Sequence, residues 1–230
     1  VADKALKNNV KTINAFFNMK NIKNLKNFKN KTNVICAANV ICHIPNLIDL
    51  IHSVEELLSP KGVFIFEEPY LGSMFSKVSY DQIYDEHIFI FSVNSIKKIF
   101  NLFDFDLIDV IPQNTHGGSM RYVVARKGKN EIKSSVKKYE EKENKLNYDN
   151  IKSCLEFKLN CEDSKKKIND QLNQFKKEKK IICGYAATSK STTILNYCGI
   201  DSNTIDFICD TTKQKIGKYS PGMHIPIVST

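Results

Sequence analysis

The feature that most constrains the fold lies between Thr32 and Phe66: an apolar run over 33–38, an amphipathic segment over 46–58 and a second apolar run over 62–66, with Ser59-Pro60 separating the last two. Short unbroken apolar runs on either side of a segment with helical period are the pattern of two buried strands joined by a crossover helix. The alternation continues downstream. Ser92 is placed to cap a helix in which Ile96, Ile99, Phe100 and Phe103 form one apolar stripe, and the runs 107–111 and 120–125 read as two more strands.

Residues 130–179 change character, becoming rich in Lys, Glu and Asn, with Ile132, Val136, Tyr139, Ile168, Leu172 and Phe175 at helical spacing. They read as helices bridging two domains. Beyond them a strand over 181–185, a small-residue loop over 186–191, a helix over 192–197 and a strand over 205–209 ending at Asp210 make a second, shorter strand–helix–strand unit. The length of 230 residues exceeds the usual span of one domain, and 42% hydrophobic content is enough to fill a core. The expected class is α/β, divided as 1–129, a helical linker 130–179, and 180–230.

Charge and cysteine usage narrow the function classes. The 34 Lys and Arg against 25 Asp and Glu give +9, but the lysines are scattered and travel with asparagine, as AT-rich codon drift produces. The run Lys176, Lys177, Lys179, Lys180 closes a polar helix and reads as a solvated face, so no nucleic-acid partner is expected. Seven cysteines without a CxxC pair, mostly in apolar segments, predict reduced, buried thiols, no metal site in this chain and a cytoplasmic location. No apolar run approaches the roughly 20 residues of a membrane span, and the N-terminus lacks a signal-peptide layout, so no membrane association is expected.

Chemistry-bearing residues gather in a few places. Tyr84, Glu86 and His87 fall within four positions, enough to hold one imidazole in a fixed tautomer so that it exchanges a proton near neutral pH. The turn His116-Gly117-Gly118-Ser119 offers backbone N–H groups and brings Arg121 within reach of an anion. In open α/β sheets ligands bind beyond the carboxyl ends of strands, where Ala37-Ala38-Asn39, His43 and the pair Glu67-Glu68 would stand. The loop Gly184-Tyr185-Ala186-Ala187-Thr188-Ser189-Lys190-Ser191 has two readings: a degenerate dinucleotide loop, with Asp210 on a ribose hydroxyl, or a plain strand-to-helix turn with Lys190 in solvent.

In chain order, Ala38-Asn39-Val40 with His43-Ile44-Pro45, Glu68-Pro69-Tyr70, Tyr84-Asp85-Glu86-His87, His116 to Arg121, the Gly184 loop with Leu195 to Gly199, and Pro221-Gly222-Met223-His224-Ile225-Pro226 resemble the S-adenosylmethionine-dependent sugar C-methyltransferase family. The resemblance implies methylation at C3 of a nucleotide-linked 4-keto-deoxysugar through an enolate. It also implies a zinc-binding N-terminal module, a central class I methyltransferase (Rossmann-like) sheet and a C-terminal Rossmann-like domain. This chain lacks the zinc module, the glycine-rich cofactor loop and its ribose-binding acid. It therefore reads as the C-terminal part of the methyltransferase sheet, followed by the helical linker and an incomplete second domain. Such a fragment would have the missing N-terminal half as a possible separate partner chain.

The resemblance gives His87 the role of base, has Tyr84 and Glu86 orient it or bond the substrate, and has His43 face it and stabilise the enolate oxygen. Ala37, Ala38 and Asn39 would touch S-adenosylmethionine. His116, Gly117, Gly118 and Arg121, with Ser189, Lys190 and Ser191, would meet the sugar nucleotide. The other readings are a non-catalytic nucleotide-sugar binding module and half of a split enzyme. An NAD-dependent sugar oxidoreductase would need GxGxxG together with Tyr-x-x-x-Lys, and the sequence has no GxGxxG.

Overall fold

The structure is a computed structural model and describes residues 2–230. In chain order the elements are α1 (Ala2–Lys7), α2 (Met19–Ile22), β1 (Thr32–Ala38), α3 (Leu47–Leu57), β2 (Leu58–Pro69), α4 (Leu71–Lys77), α5 (Val93–Asn101), β3 (Phe105–Gln113), β4 (Ser119–Arg126), α6 (Ser134–Leu146), α7 (Ile151–Lys177), β5 (Cys183–Tyr185), α8 (Ser189–Cys198), β6 (Phe207–Cys209) and β7 (Ile227–Val228). They form two compact units, each discontinuous in sequence. The first takes the described residues up to Glu68 with Val93–Pro112 and Met120–Glu140; the second takes Pro69–Ser92, Gln113–Ser119 and Glu141–Thr230.

The first unit carries a four-stranded sheet in the order β1-β2-β4-β3, with β1 and β2 parallel across the helix α3, as the alternating pattern requires. Asn46 caps α3 by accepting from the Asp49 N–H at 3.1 Å. Ser59-Pro60 does not separate helix from strand. The helix ends at Leu57, and 58–62 form an irregular start to β2, so that Thr32 pairs with Leu58 but Val34 with Val63. Gly62 is required there, because a Cβ would lie 2.7 Å from the Thr32 carbonyl oxygen.

The core of this sheet is aromatic. Phe66 stacks on Phe64 at 4.9 Å, on Tyr122 at 5.1 Å and on Phe100 at 5.7 Å between ring centroids, and Phe100 meets Phe105 edge-on at 6.1 Å. Ile96 and Phe100 of the predicted stripe are buried, and they set α5 on the sheet. β1 differs from the expectation of a buried strand: it is an edge of the sheet, with Val34 52% exposed and Cys36 and Ala38 also open.

The second unit holds three short parallel strands, β5-β6-β7, against α8. Leu195, Cys198, Ile200, Ile205, Ile208 and Ile225 form its centre, and α7 adds Phe157 and Cys161. Ile168 and Leu172 of α7 pack against the same cluster. That long helix therefore belongs to this core while its many lysines stay outside. Thr188 caps α8 through a reciprocal pair with Ser191, and the helix starts three residues earlier than its apolar pattern suggests.

The cysteines do not follow the expectation of general burial. Cys42, Cys161 and Cys198 are buried, but Cys36, Cys154 and Cys183 are exposed and Cys209 lies between; all are free thiols. Cys36 is exposed with Val34 and Ala38 on one face of β1, whereas Ile35 and Ala37 on the other are half-buried, and Cys154 lies on the outer side of α7. Among the described residues no helix is long and apolar enough to cross a membrane.

Candidate active site

The carboxyl end of β1 is held by a buried carboxylate. Asn39 adopts φ +52°, and its N–H donates to the Glu67 carbonyl at 2.8 Å. The next three N–H groups turn onto the Glu68 side chain: Val40 and Ile41 donate to Oε1 at 3.0 and 2.7 Å, and Cys42 to Oε2 at 3.3 Å. Glu68 is fully buried, so these charge-assisted bonds replace its hydration. Burial, with the neighbouring Glu68 adding to it, pushes the Cys42 thiol well above its ordinary range, so this sulfur stays protonated. Glu68 is thus a loop anchor rather than the rim acid its position suggests. The anchored turn Ile41–His43 presents a half-buried His43.

Tyr84 and His87, in the second unit, are joined as the spacing predicts. The Tyr84 hydroxyl lies 2.9 Å from His87 Nε2, with ring centroids 4.1 Å apart, and His87 Nδ1 lies 2.7 Å from the Gln82 carbonyl oxygen. A carbonyl only accepts, so Nδ1 carries the proton of the neutral ring and Nε2 accepts from the Tyr84 O–H. Glu86 is exposed on the same loop. Gln82, which the sequence reading passed over, is buried, and its Nε2 donates to the His116 carbonyl at 2.6 Å.

The His116 turn is held by its carbonyls. Besides the Gln82 contact, Gly117 O accepts from Lys77 Nζ at 2.7 Å and Gly118 O from the Tyr70 N–H at 3.2 Å, while the Gly118 N–H returns to Thr115 O at 2.8 Å. The expected open row of N–H donors is therefore shortened, because Gly118 uses its own within the turn. His116 and Gly117 remain exposed, and Gly118, at φ +125°, is buried with no room for a Cβ beside Ser73. Arg121, in the first unit, donates to Glu67 Oε2 at 3.0 Å and keeps 42% of its side chain exposed. Any anion it meets shares it with a carboxylate.

The loop after β5 is held by hydrogen bonds of its own. Ala186 takes φ +71°, its N–H donates to Cys209 O at 2.7 Å, and the Ala187 N–H donates to Asp210 Oδ2 at 2.8 Å. Asp210 also accepts from the Thr212 N–H at 2.7 Å and lies 3.5 Å from Lys215 Nζ. Thr212 first, then Ala187 and Lys215, hold its carboxyl far below the usual range. Both of its carboxylate oxygens are engaged within the loop. Ser189 and Ser191 line a recess of about 280 Å³ whose cations are Lys215 and Lys218, whereas Lys190 leans 4.0 Å from Asp81.

A second recess of the same unit, about 340 Å³, is walled by Tyr80, Ile83, Phe157, Cys161, Thr193 and Tyr197, and Ile83 directly precedes Tyr84. Burial, with Cys198 beside it, pushes the Tyr80 hydroxyl up to about 12, so it stays a neutral phenol. Sequence reasoning missed both Gln82 and this recess. A buried Gln and scattered aromatics carry no motif, and only the packing of α7 and α8 brings the recess walls together.

The residues at the end of β1 fit a contact surface for a bound cofactor. Ala37 and Ala38 are small, Ala38 and Val40 are exposed, and Asn39 adds a carboxamide. Their backbone donors from Asn39 to Cys42 are already used by Glu67 and Glu68, so the fit is one of shape and side chain.

Residues 114–230 match the family described as C-methyltransferase C-terminal domain, and residues 2–110 match a methyltransferase domain. C-methyltransferase NovU of Streptomyces niveus is 28% identical over 221 residues, which cover 96% of this chain and 53% of that protein. The chain thus spans about half the length of the curated relative it matches. The sheet around β1 and β2 accords with a class I methyltransferase fold. On the match across residues 114–230, the chain belongs to the C-methyltransferase family that this C-terminal domain defines.

Proposed function

We propose that the protein moves a methyl group from S-adenosylmethionine to the carbon beside the keto group, C3, of a nucleotide-linked 4-keto-deoxysugar, by way of an enolate. The observation that carries this reading is the pair Tyr84–His87, preset with Nδ1 protonated and Nε2 as the proton acceptor. A proton next to a ketone leaves only if the base is positioned and the developing oxyanion is stabilised. His87 is the base. Tyr84 and Glu86 orient it or bond the substrate, and His43 stabilises the enolate oxygen.

Ala37, Ala38 and Asn39 touch S-adenosylmethionine, which supplies an electrophilic methyl group when bound. Holding the carbanion in line with that methyl is a task of positioning. His116, Gly117, Gly118 and Arg121, with Ser189, Lys190 and Ser191, contact the sugar nucleotide. The lysines of the 280 Å³ recess support an anionic ligand near Ser189 and Ser191. In this reading 1–129 is the methyltransferase part, 130–179 the helical linker and 180–230 the second Rossmann-like part, working in the cytoplasm, where nucleotide sugars are made.

The test is His87→Ala in the intact enzyme, with transfer of label from S-adenosylmethionine as the readout. Loss of a general base lowers turnover by about 10²–10⁴-fold, with cofactor affinity within a few fold of wild type. Retained turnover removes His87 as the base.

A further inference from the structure

We infer that Gln82 is the positioning residue of the proton-transfer pair: its main-chain carbonyl sets the His87 tautomer, and its side-chain amide fixes that carbonyl against the His116 turn. This rests on the reading of His87 as the base and specifies which ring atom does the work.

Gln82 is 4% exposed, whereas Ile83 beside it is 52% exposed and Asp85 and Glu86 are also exposed. A buried amide costs desolvation that Leu or Met would not incur, so its bonds must account for it. Its main-chain N–H closes the turn to Ser79 O at 3.2 Å, its Nε2 donates to His116 O at 2.6 Å, and its carbonyl accepts from His87 Nδ1 at 2.7 Å. Its Oε1 is buried without a partner among the described residues, so half of the amide is held at a cost while the other half makes the contact. One residue therefore ties the Tyr84–His87 loop to the His116 turn, the two motifs farthest apart in sequence in this part of the second unit.

The chemical consequence concerns proton direction. With Nδ1–H committed to a carbonyl, a proton can arrive only at Nε2, where the Tyr84 hydroxyl already sits at 2.9 Å. The substrate C–H bond breaks and its electron pair stays in the enolate. The proton reaches Nε2 directly, or through Tyr84, which gives its own proton to Nε2 as it takes the substrate's. Either way His87 ends as an imidazolium with Nδ1–H still on the Gln82 carbonyl, and Tyr84 ends as the phenol it began as. Were Nε2 the protonated atom instead, it could not accept this proton, and the carbonyl would face a lone pair on Nδ1.

The experiment is ¹⁵N NMR of the ring nitrogens in the histidine-labelled intact enzyme, to which this chain contributes five histidines, with the His87 signal assigned by its loss in His87→Gln. The expected signal is the Nδ1–H tautomer in wild type; an Nε2–H tautomer overturns the inference without any variant. In Gln82→Met the tautomers should mix, and kcat should fall about tenfold with KM within about twofold, the signature of lost positioning. A fully retained Nδ1–H tautomer with wild-type kcat also overturns it. Gln82→Glu, which keeps the volume, sets a carboxylate against the His116 carbonyl. Its kcat relative to wild type should recover as pH falls and the acid becomes a donor again; no recovery counts against the amide bond. Turnover surviving in His87→Ala would instead sink the base assignment and leave the tautomer result standing, so the two readings fail separately.

Discussion

After β1 in the first unit and after β5 in the second, the chain makes the same move. Asn39 and Ala186 both adopt positive φ, and each donates its N–H to the carbonyl just before an acid, Glu67 before Glu68 and Cys209 before Asp210. The acid then takes the following N–H groups of the loop, Val40 to Cys42 on Glu68 and Ala187 on Asp210. The difference lies in the charge. Glu68 is fully buried and meets backbone donors and the Cys42 thiol, whereas Asp210 shares its charge with Lys215, whose Nζ also donates to Ala187 O at 2.6 Å. An acid at the end of the second strand of a strand–helix–strand unit is thus no guarantee of a ligand. It is able to serve as the internal substitute for one, filling the place at the loop N–H groups where an anion would otherwise sit.

The comparison breaks most easily at Glu68. Glu68→Ala leaves the N–H groups of Val40, Ile41 and Cys42 without their acceptor, and we expect a loss of about 3–5 kcal/mol by thermal or urea denaturation. A loss under about 1 kcal/mol would show that water replaces the carboxylate freely and that the two loops are not alike. Asp210→Asn should cost less, and its cost should depend on pH. The Asp210 carboxyl is held below its ordinary value, so the stability it adds is present above the ordinary carboxylate pKa and fades as pH falls below it. Melting curves of wild type and Asp210→Asn should therefore differ at pH 7, with the gap narrowing once pH falls below about 4 and closing only well below pH 3; a gap that widened in acid would reverse the sign we assign.

Arg121→Ala should move stability least, by about 0–1 kcal/mol, because its pair with Glu67 is partly exposed. Its value lies in sharpening the comparison. If Arg121 contacts the sugar nucleotide, KM rises in the intact enzyme while the melting curve barely shifts. An unchanged KM would leave Arg121 a partner of Glu67 alone.

Much of the fold was legible because burial and backbone geometry leave local marks. The apolar runs at 33–38 and 62–66, the stripe on α5 and the strands β3, β4, β5 and β6 all appear near their predicted places. The pair Tyr84–His87 was legible too, since three residues of separation within one turn bring a hydroxyl to an imidazole. What failed to show were features whose cause lies far along the chain. The two-residue β7 has no periodicity to detect and exists through its pairing with β6. The exposure of Cys36 follows from which face of β1 is left open, and Ser59-Pro60 reads as a break only until Thr32 and Val34 impose their register on it.

The α/β class, the order of the elements, the family resemblance and the Tyr84–His87 contact could be read from the chain alone, because these depend on residues within a turn or a strand of one another. The tertiary structure decided which acids are free to act. Glu67, Glu68 and Asp210 are equivalent in sequence terms, yet one pairs with Arg121, one disappears beneath the loop after β1, and one closes the loop after β5. The physical reason is that a carboxylate's role follows from the donors around it, and for each of the three these include groups 23 to 54 residues away, which only the folded chain brings within hydrogen-bonding distance.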